Sequence, residues 1–277
     1  MTTLPFREFD RSYQDAVVSV LKYWTRDMQT EIARHCYDWG PGRTDFTEYL
    51  ESSSVRYYRA YEVISQNSYG QNVCDIGGLW GVLPLTLKML GFENVTMTES
   101  LKYYSQAYDS LFGYIADNGV RIHDLDPFEG DPQLPQKFDV ITVMAVLEHY
   151  PHSLKTVMAN LIAMLPDSGR LYIEVPNIAY WPKRTDLLLG RSPLANLASI
   201  YQSQTPFIGH HHEFTISELR ELIRLSGLKV VAEHFYNYSD VRTKSWSQRL
   251  RHPVLNLIYT LLRDSREVLA VETTKCR

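Results

Sequence analysis

Hydrophobic positions along the chain change their period once, near residue 70. Val17, Val20, Leu21, Trp24 and Met28 recur at three- and four-residue steps, and Phe46, Tyr49, Leu50, Tyr57, Tyr58 and Tyr61 do likewise after a break at Gly40–Gly42. That spacing puts apolar side chains on one stripe, so residues 12–64 read as helices. From Gly70 short apolar runs alternate with helical stretches. Asn72–Ile76, Asn94–Thr98, Val120–His123, Phe138–Val143 and Arg170–Val175 read as strands, with helices running to Leu90 and over Lys102–Ala116 and Leu154–Leu165. Strands joined by crossover helices must be parallel, which predicts a Rossmann-like α/β unit with helices on both faces. Residues 177–213, rich in Pro, Gly, Asn and aromatics, read as a long, partly helical excursion, and connections of that length usually carry function. A helix over Thr215–Ser226, a strand Leu228–Tyr236, an amphipathic helix Ser245–Arg263 and a strand Val268–Thr273 complete the pattern. Leu250, Val254, Leu257, Ile258 and Leu261 share one face of that last helix. The predicted organisation is an N-terminal helical cap over residues 1–68 and a main domain over residues 69–277.

Composition narrows the function classes. Apolar residues make up 44% of the chain and charged ones 22%, which is ordinary globular composition. With 28 Lys and Arg against 32 Asp and Glu, the formal charge is −4, so there is no global field for a nucleic acid. Cys36, Cys74 and Cys276 contain no CxxC pair. That argues against a disulfide framework or structural zinc and predicts a reducing compartment. Met1–Asp10 carries acids and no signal-like apolar stretch, and the longest mainly apolar runs, Val140–Leu147 and Pro253–Leu262, fall short of the roughly 20 residues that span a bilayer. A cytoplasmic location is the expectation.

The most informative stretch is Val73-Cys-Asp75-Ile-Gly77-Gly78-Leu79-Trp-Gly81, a strand running into glycines and then a helix. Such a turn lets a ligand approach the backbone at the carboxyl end of the strand. Asp75, two positions before the first glycine, would repel a pyrophosphate seated there, and the glycines do not follow the dinucleotide spacing. A nicotinamide-dependent oxidoreductase is therefore the weaker alternative. A ligand that presents positive charge fits better, and S-adenosylmethionine carries an ammonium and a sulfonium. Glu99 ends the following strand, close to the offset of roughly 20 residues at which a carboxylate grips ribose hydroxyls.

At this point the chain resembles the class I S-adenosylmethionine-dependent methyltransferases. Asp75-Ile-Gly-Gly-Leu-Trp-Gly81, Glu99, Asp124, Phe138-Asp-Val140 and Leu147-Glu148-His149 are similar to the ordered motifs of that family. Glu148-His149, Val175-Pro-Asn177 and the histidines before Phe214-Thr215 are most similar to its small-molecule and glycan branch, including ubiquinone-type O-methyltransferases. The resemblance implies a seven-stranded, mostly parallel sheet whose last strand is antiparallel. It implies that Asp75, Gly77, Gly78 and Gly81 line the methionine end of S-adenosylmethionine and that Glu99 holds the ribose. Asp124 would meet the adenine amino group with the Leu125 N–H nearby, and Met144 would contact the cofactor from the fourth strand. Leu79 stands where the family has its second glycine, and the expectation is that the turn shifts by one residue to use Gly78. A non-catalytic module that keeps the fold as a binding partner is the reading Leu79 favours.

Methyl transfer to a hydroxyl needs alignment and a proton acceptor, and histidine is the natural base near neutral pH. His149, after the fourth strand, and His211, within His210-His211-His212-Glu213, are the candidates. No metal is expected, since neighbouring side chains in an extended run point to opposite faces and cannot readily share an ion. Tyr57, Tyr58 and Tyr61 with Trp24, Trp39 and Phe46 either wall an acceptor pocket or pack between cap helices, and Arg56 and Arg59 are candidates for an anionic group. Lys183, Arg184, Arg191, Arg242, Lys244, Arg249, Arg251 and Arg263 form either a solvated face or a surface for a phosphorylated substrate or peripheral membrane contact. The partner expected is a small molecule or glycan. No motif speaks to the oligomeric state.

Overall fold

The structure, a computed structural model, describes residues 3–129, 137–239 and 246–276. Its strands are β1 (Asn72–Ile76), β2 (Asn94–Glu99), β3 (Arg121–Asp124), β4 (Val140–Met144), β5 (Arg170–Pro176), β6 (Leu228–Tyr236) and β7 (Val268–Lys275). They form one sheet in the order β3-β2-β1-β4-β5-β7-β6. Strands β1 to β5 pair in parallel, and β7 runs antiparallel to both β5 and β6, as the family resemblance implies.

Eleven described α-helices surround the sheet: α1 (Phe6–Leu21), α2 (Arg26–His35), α3 (Phe46–Ser52), α4 (Ser54–Ile64), α5 (Val82–Met89), α6 (Asp109–Asp117), α7 (Lys155–Ala163), α8 (Trp181–Leu188), α9 (Leu197–Gln202), α10 (Ile216–Leu225) and α11 (Trp246–Leu261). Their starts follow local chemistry. The Thr25 hydroxyl accepts the Met28 N–H at the head of α2, and Asp45 accepts the Thr47 and Glu48 N–H groups at the head of α3. Thr215 and Glu218 form a capping box on α10, each satisfying the other's otherwise orphaned N–H. The helix expected over Lys102–Ala116 is shorter than its pattern. Residues 101–103 and 106–108 form 3-10 turns, because Asp124 accepts the Leu101 N–H while Glu31 accepts from the Ser105 N–H and hydroxyl. Side-chain acceptors there compete with the helical ladder and win. On α11, Leu257 and Leu261 are exposed, and Leu250 and Val254 lie outside the residues whose side chains are described.

Strand alternation sorts the side chains into two layers. Val73, Val95, Met97, Val140, Met144 and Tyr172 face α5, α6 and the N-terminal helices, while Cys74, Ile76, Ile141, Val143 and Ile173 face α7 and α10. The first layer is continuous with the cap: Phe9, Tyr13, Val17 and Val20 of α1 belong to the same buried cluster as Leu83 and Leu85 of α5. By the same alternation, Asp75, Glu99, Thr142 and Glu174 point toward the N-terminal helices. That face is where the polar chemistry collects.

Candidate active site

Strand β1 lies between β2 and β4, so successive connections leave it in opposite directions and open a crevice at the carboxyl ends of the strands. The turn after β1, the end of β2 and the turn after β4 border that crevice. In the first turn Gly77 (φ +68°), Leu79 (φ +36°) and Gly81 (φ +64°) are left-handed, while Gly78 is not. The register does not shift to Gly78 as the sequence suggested; the leucine itself takes the unfavourable conformation, which costs about 1–2 kcal/mol. Two contacts hold it there. Its N–H donates to Glu99 Oε1, and its side chain packs against the cluster that contains Met97 and Trp80. Gly78 is needed for close approach instead, since a Cβ there would stand 3.0 Å from Asp75 Oδ2. Ala145, after β4, is also left-handed at φ +55°. Strain in non-glycine residues thus flanks the crevice on both sides.

Asp75 and Glu99 are nearly inaccessible, at 4% and 6% exposure. Asp75 sits opposite Thr142 in the β1–β4 register, and the Thr142 hydroxyl donates to its Oδ1 at 2.6 Å. Burial raises the Asp75 pKa to about 7; the Thr142 bond opposes this, and the nearby Glu99 and Glu174 carboxylates add to it. Glu99 is likewise pushed up to about 7 by burial, against the bonds it accepts from the Tyr104 hydroxyl (2.7 Å) and the Leu79 N–H. Among the described residues no cation pairs with either acid. Glu174, by contrast, is neutralised: Arg56 donates through Nε (2.8 Å) and Nη2, and the Tyr236 hydroxyl also donates to it. Arg56 is therefore not available for an anionic ligand as the sequence allowed, and Arg59 pairs with Glu62 on the surface.

The other expected cofactor contacts are spread along the same edge. Met144 is buried at the end of β4. Asp124 is exposed at the end of β3 and accepts the Leu101 N–H at 2.9 Å. The Leu125 N–H donates to the Glu99 carbonyl (2.9 Å), so the sheet edge already uses it. The aromatic residues divide: Tyr57 stacks on Tyr13 and Tyr58 packs on Phe6 and Phe9 between cap helices, whereas Trp24 and Phe46 meet Trp80 of the glycine turn.

Beyond β4 a 3-10 turn over Leu147–His149 meets the end of the excursion. Gln204 and Ile208 donate backbone N–H groups to Arg34 and His35 at the end of α2, and the N–H groups of His211 and His212 donate to the Glu148 carbonyl. This brings His210 against His149, their rings 4.9 Å apart, with Trp39 edge-on to His149 at 5.6 Å. His149 Nδ1 donates to the Ile208 carbonyl at 2.8 Å. Burial, with the His210 ring beside it, lowers the His149 pKa to about 4 despite the Ile208 and Gly209 carbonyls. Glu148 has no exposed surface and neither of its carboxyl oxygens has a hydrogen-bond partner; burial raises its pKa to about 7. His211 is bonded elsewhere. Its Nε2 donates to the Phe207 carbonyl at 2.7 Å, and it lines a surface cavity of about 680 Å³ with Tyr150, His152 and Phe214 that neither Asp75 nor Glu99 borders. Alternation in an extended run places neighbouring histidines on opposite faces but does not say which of His210 and His211 meets His149.

The described members of the expected basic region are all engaged: Lys183 with Glu213, Arg184 with Asp264, Arg191 with Asp186, and Arg263 over the Phe235 ring. Arg242, Lys244 and the side chains of Arg249 and Arg251 lie outside the described residues. No described helix is long and apolar enough to cross a membrane.

Comparison with known proteins agrees with this geometry. A family model described as a methyltransferase domain matches residues 45–233. The chain belongs to the methyltransferase domain family. No curated protein matches the sequence significantly. An S-adenosylmethionine-dependent methyltransferase from Archaeoglobus fulgidus superposes with a TM-score of 0.53 at 15% identity, over 83% of this chain and 100% of that one. One from Mesorhizobium loti gives 0.50 at 14%, over 81% and 98%. The mitomycin 7-O-methyltransferase MmcR gives 0.49 at 18%, over 83% of this chain but only 57% of that one. The fold is that of the class I S-adenosylmethionine-dependent methyltransferases.

Proposed function

We propose that this methyltransferase moves a methyl group from S-adenosylmethionine to a hydroxyl oxygen of a small molecule or glycan. The reading is carried by two buried carboxylates, Asp75 and Glu99, which flank the glycine turn with no cation against either among the described residues. Burying unpaired acids is unfavourable, and a cationic ligand offsets it. S-adenosylmethionine supplies that positive charge together with an activated methyl group. Asp75 with Gly77, Gly78 and Gly81 would hold its methionine end, and Glu99 would hold the ribose, each of its oxygens keeping a lone pair beyond the bond it already accepts. Asp124 and Leu125 would border the adenine, and Met144 would close the crevice from β4. A diphosphate would meet both acids, which weighs against a nicotinamide cofactor. The packing of Leu79 against the core weighs against the non-catalytic reading.

Methyl transfer then asks the protein to align the acceptor, exclude water and take a proton. Trp24, Phe46 and Trp80 supply an apolar wall beside the turn. His149 is the better placed of the two candidate bases: the Ile208 carbonyl accepts from Nδ1, which leaves the lone pair on Nε2. The test is calorimetric binding of S-adenosylhomocysteine. Asp75→Asn and Glu99→Gln are expected to lose about 1.5–3 kcal/mol of affinity each, the range for a hydrogen bond to a charged group. Unchanged affinity in both variants overturns the assignment.

A further inference from the structure

We propose that Glu148, His149 and His210 form a binding site for one first-row transition-metal dication, of the Mn²⁺, Co²⁺ or Zn²⁺ type, on the acceptor side of the crevice. One ligand atom from each lies within 4.8 Å of the other two. A bound ion at about 2.0–2.2 Å from nitrogen and oxygen ligands needs ligand atoms roughly 3–3.5 Å apart, so a small closure completes the set.

Three further features point to a ligand rather than to packing. Glu148 is fully buried, with neither carboxyl oxygen hydrogen-bonded, and its Oε1 lies 4.0 Å from His149 Nε2. An orphaned carboxylate at zero exposure is unfavourable unless something positive meets it. Both imidazoles also hold the tautomer that a metal ligand needs. The Ile208 carbonyl accepts from His149 Nδ1 at 2.8 Å, and Glu213 accepts from His210 Nδ1 at 2.9 Å. A carbonyl and a carboxylate can only accept, so each Nδ1 carries the proton and each Nε2 keeps its lone pair. Finally, Lys183 holds Glu213 in turn. A carboxylate or carbonyl behind the histidine is the usual outer support of a metal-ligating imidazole. Two imidazoles with one carboxylate favour a transition metal over Mg²⁺ or Ca²⁺, which prefer all-oxygen sets.

Three protein ligands leave coordination positions open for an acceptor oxygen, whose proton a dication makes more acidic. Only this last step rests on the methyl-transfer reading. A cation on Nε2 removes that lone pair from proton transfer, so ligand and base are alternative roles for His149, and the metal decides between them.

The test uses tag-free, full-length protein stripped with a chelator, with Co²⁺, Mn²⁺, Zn²⁺ and Mg²⁺ each added alone. One equivalent of Co²⁺ is expected to bind with visible absorption bands and to raise the melting temperature, while Mg²⁺ binds far more weakly. Glu148→Gln and His210→Ala should each lower Co²⁺ affinity 100-fold or more, and Glu213→Gln by about 10–100-fold. Metal-free Glu148→Gln should melt no lower than wild type, because it loses a buried charge that has no partner. Failure of Co²⁺, Mn²⁺ and Zn²⁺ to bind stoichiometrically, or binding that persists in both Glu148→Gln and His210→Ala, overturns the site. S-adenosylhomocysteine affinity, measured on the same samples, keeps this reading separate from the cofactor assignment: either can fail while the other stands.

Discussion

Asp75 and Glu99 titrate near neutrality because the folded chain takes them out of water and gives them hydroxyl and N–H partners but, among the described residues, no cation. Their folded pKa of about 7 stands above their ordinary values of 3.8 and 4.5, so the folded protein holds protons that the unfolded chain releases. Their contribution to stability is then greatest below about pH 4 and falls as pH rises toward 7. Asp75→Asn removes the Asp75 share of that slope, and its melting temperature should gain on wild type between pH 5 and 8. Ligand binding runs the other way. The α-ammonium and ribose hydroxyls, which S-adenosylhomocysteine shares with S-adenosylmethionine, are donors that need ionised acceptors, so S-adenosylhomocysteine should bind more tightly at pH 8 than at pH 6 and release protons as it binds. Calorimetry in two buffers of different ionisation enthalpy reads that release directly; a flat profile would contradict the assigned role of both acids.

Between elements, the decisive contact is the buried pair of Arg56 on α4 with Glu174 on β5, at 4% and 1% exposure. It joins the N-terminal helices to the middle of the sheet. Tyr49, Tyr236 and Tyr238 complete the network around it: Arg56 Nη1 donates to the Tyr49 hydroxyl (2.6 Å), and its guanidinium lies 4.9 Å from the Tyr238 ring centre. Removing one member of such a pair leaves the other uncompensated in a dry site. Arg56→Ala should therefore destabilise the fold by about 3–5 kcal/mol, whereas Arg56→Met with Glu174→Leu should cost much less. Chemical denaturation of the wild type and the two variants checks both expectations. Equal losses in the single and double variants would mean that the pair acts through packing rather than charge.

At the scale of the whole molecule, the N-terminal helices and the main domain share one hydrophobic cluster. A chain cut to residues 69–277 would strip α1 from α5, which carries Leu83 and Leu85, and lose the Arg56 partner of Glu174. It should show no cooperative thermal transition and weak near-ultraviolet dichroism, while the intact chain melts in one step. A sharp transition in the shortened chain would mean instead that the helices are an independent cap.

What could be read along the chain was whatever depends on local chemistry and period. The strand positions, the glycine turn after β1, the helix over Thr215–Ser226 and the two acids at the ends of β1 and β2 all follow from alternation, propensity and charge near a turn. Leu79 marked the turn as unusual, but only the folded bonds from its N–H and side chain decide that the leucine carries the strain and Gly78 the close approach. The partners of the acids were invisible for the same reason. Thr142, Tyr104 and Arg56 reach Asp75, Glu99 and Glu174 through sheet register and helix docking, which no local window contains. The histidines are the clearest case. Their identity is written in the sequence, yet the choice of His210 over His211 depends on where the excursion docks against α2 and the 3-10 turn after β4, and that is a property of the tertiary structure alone.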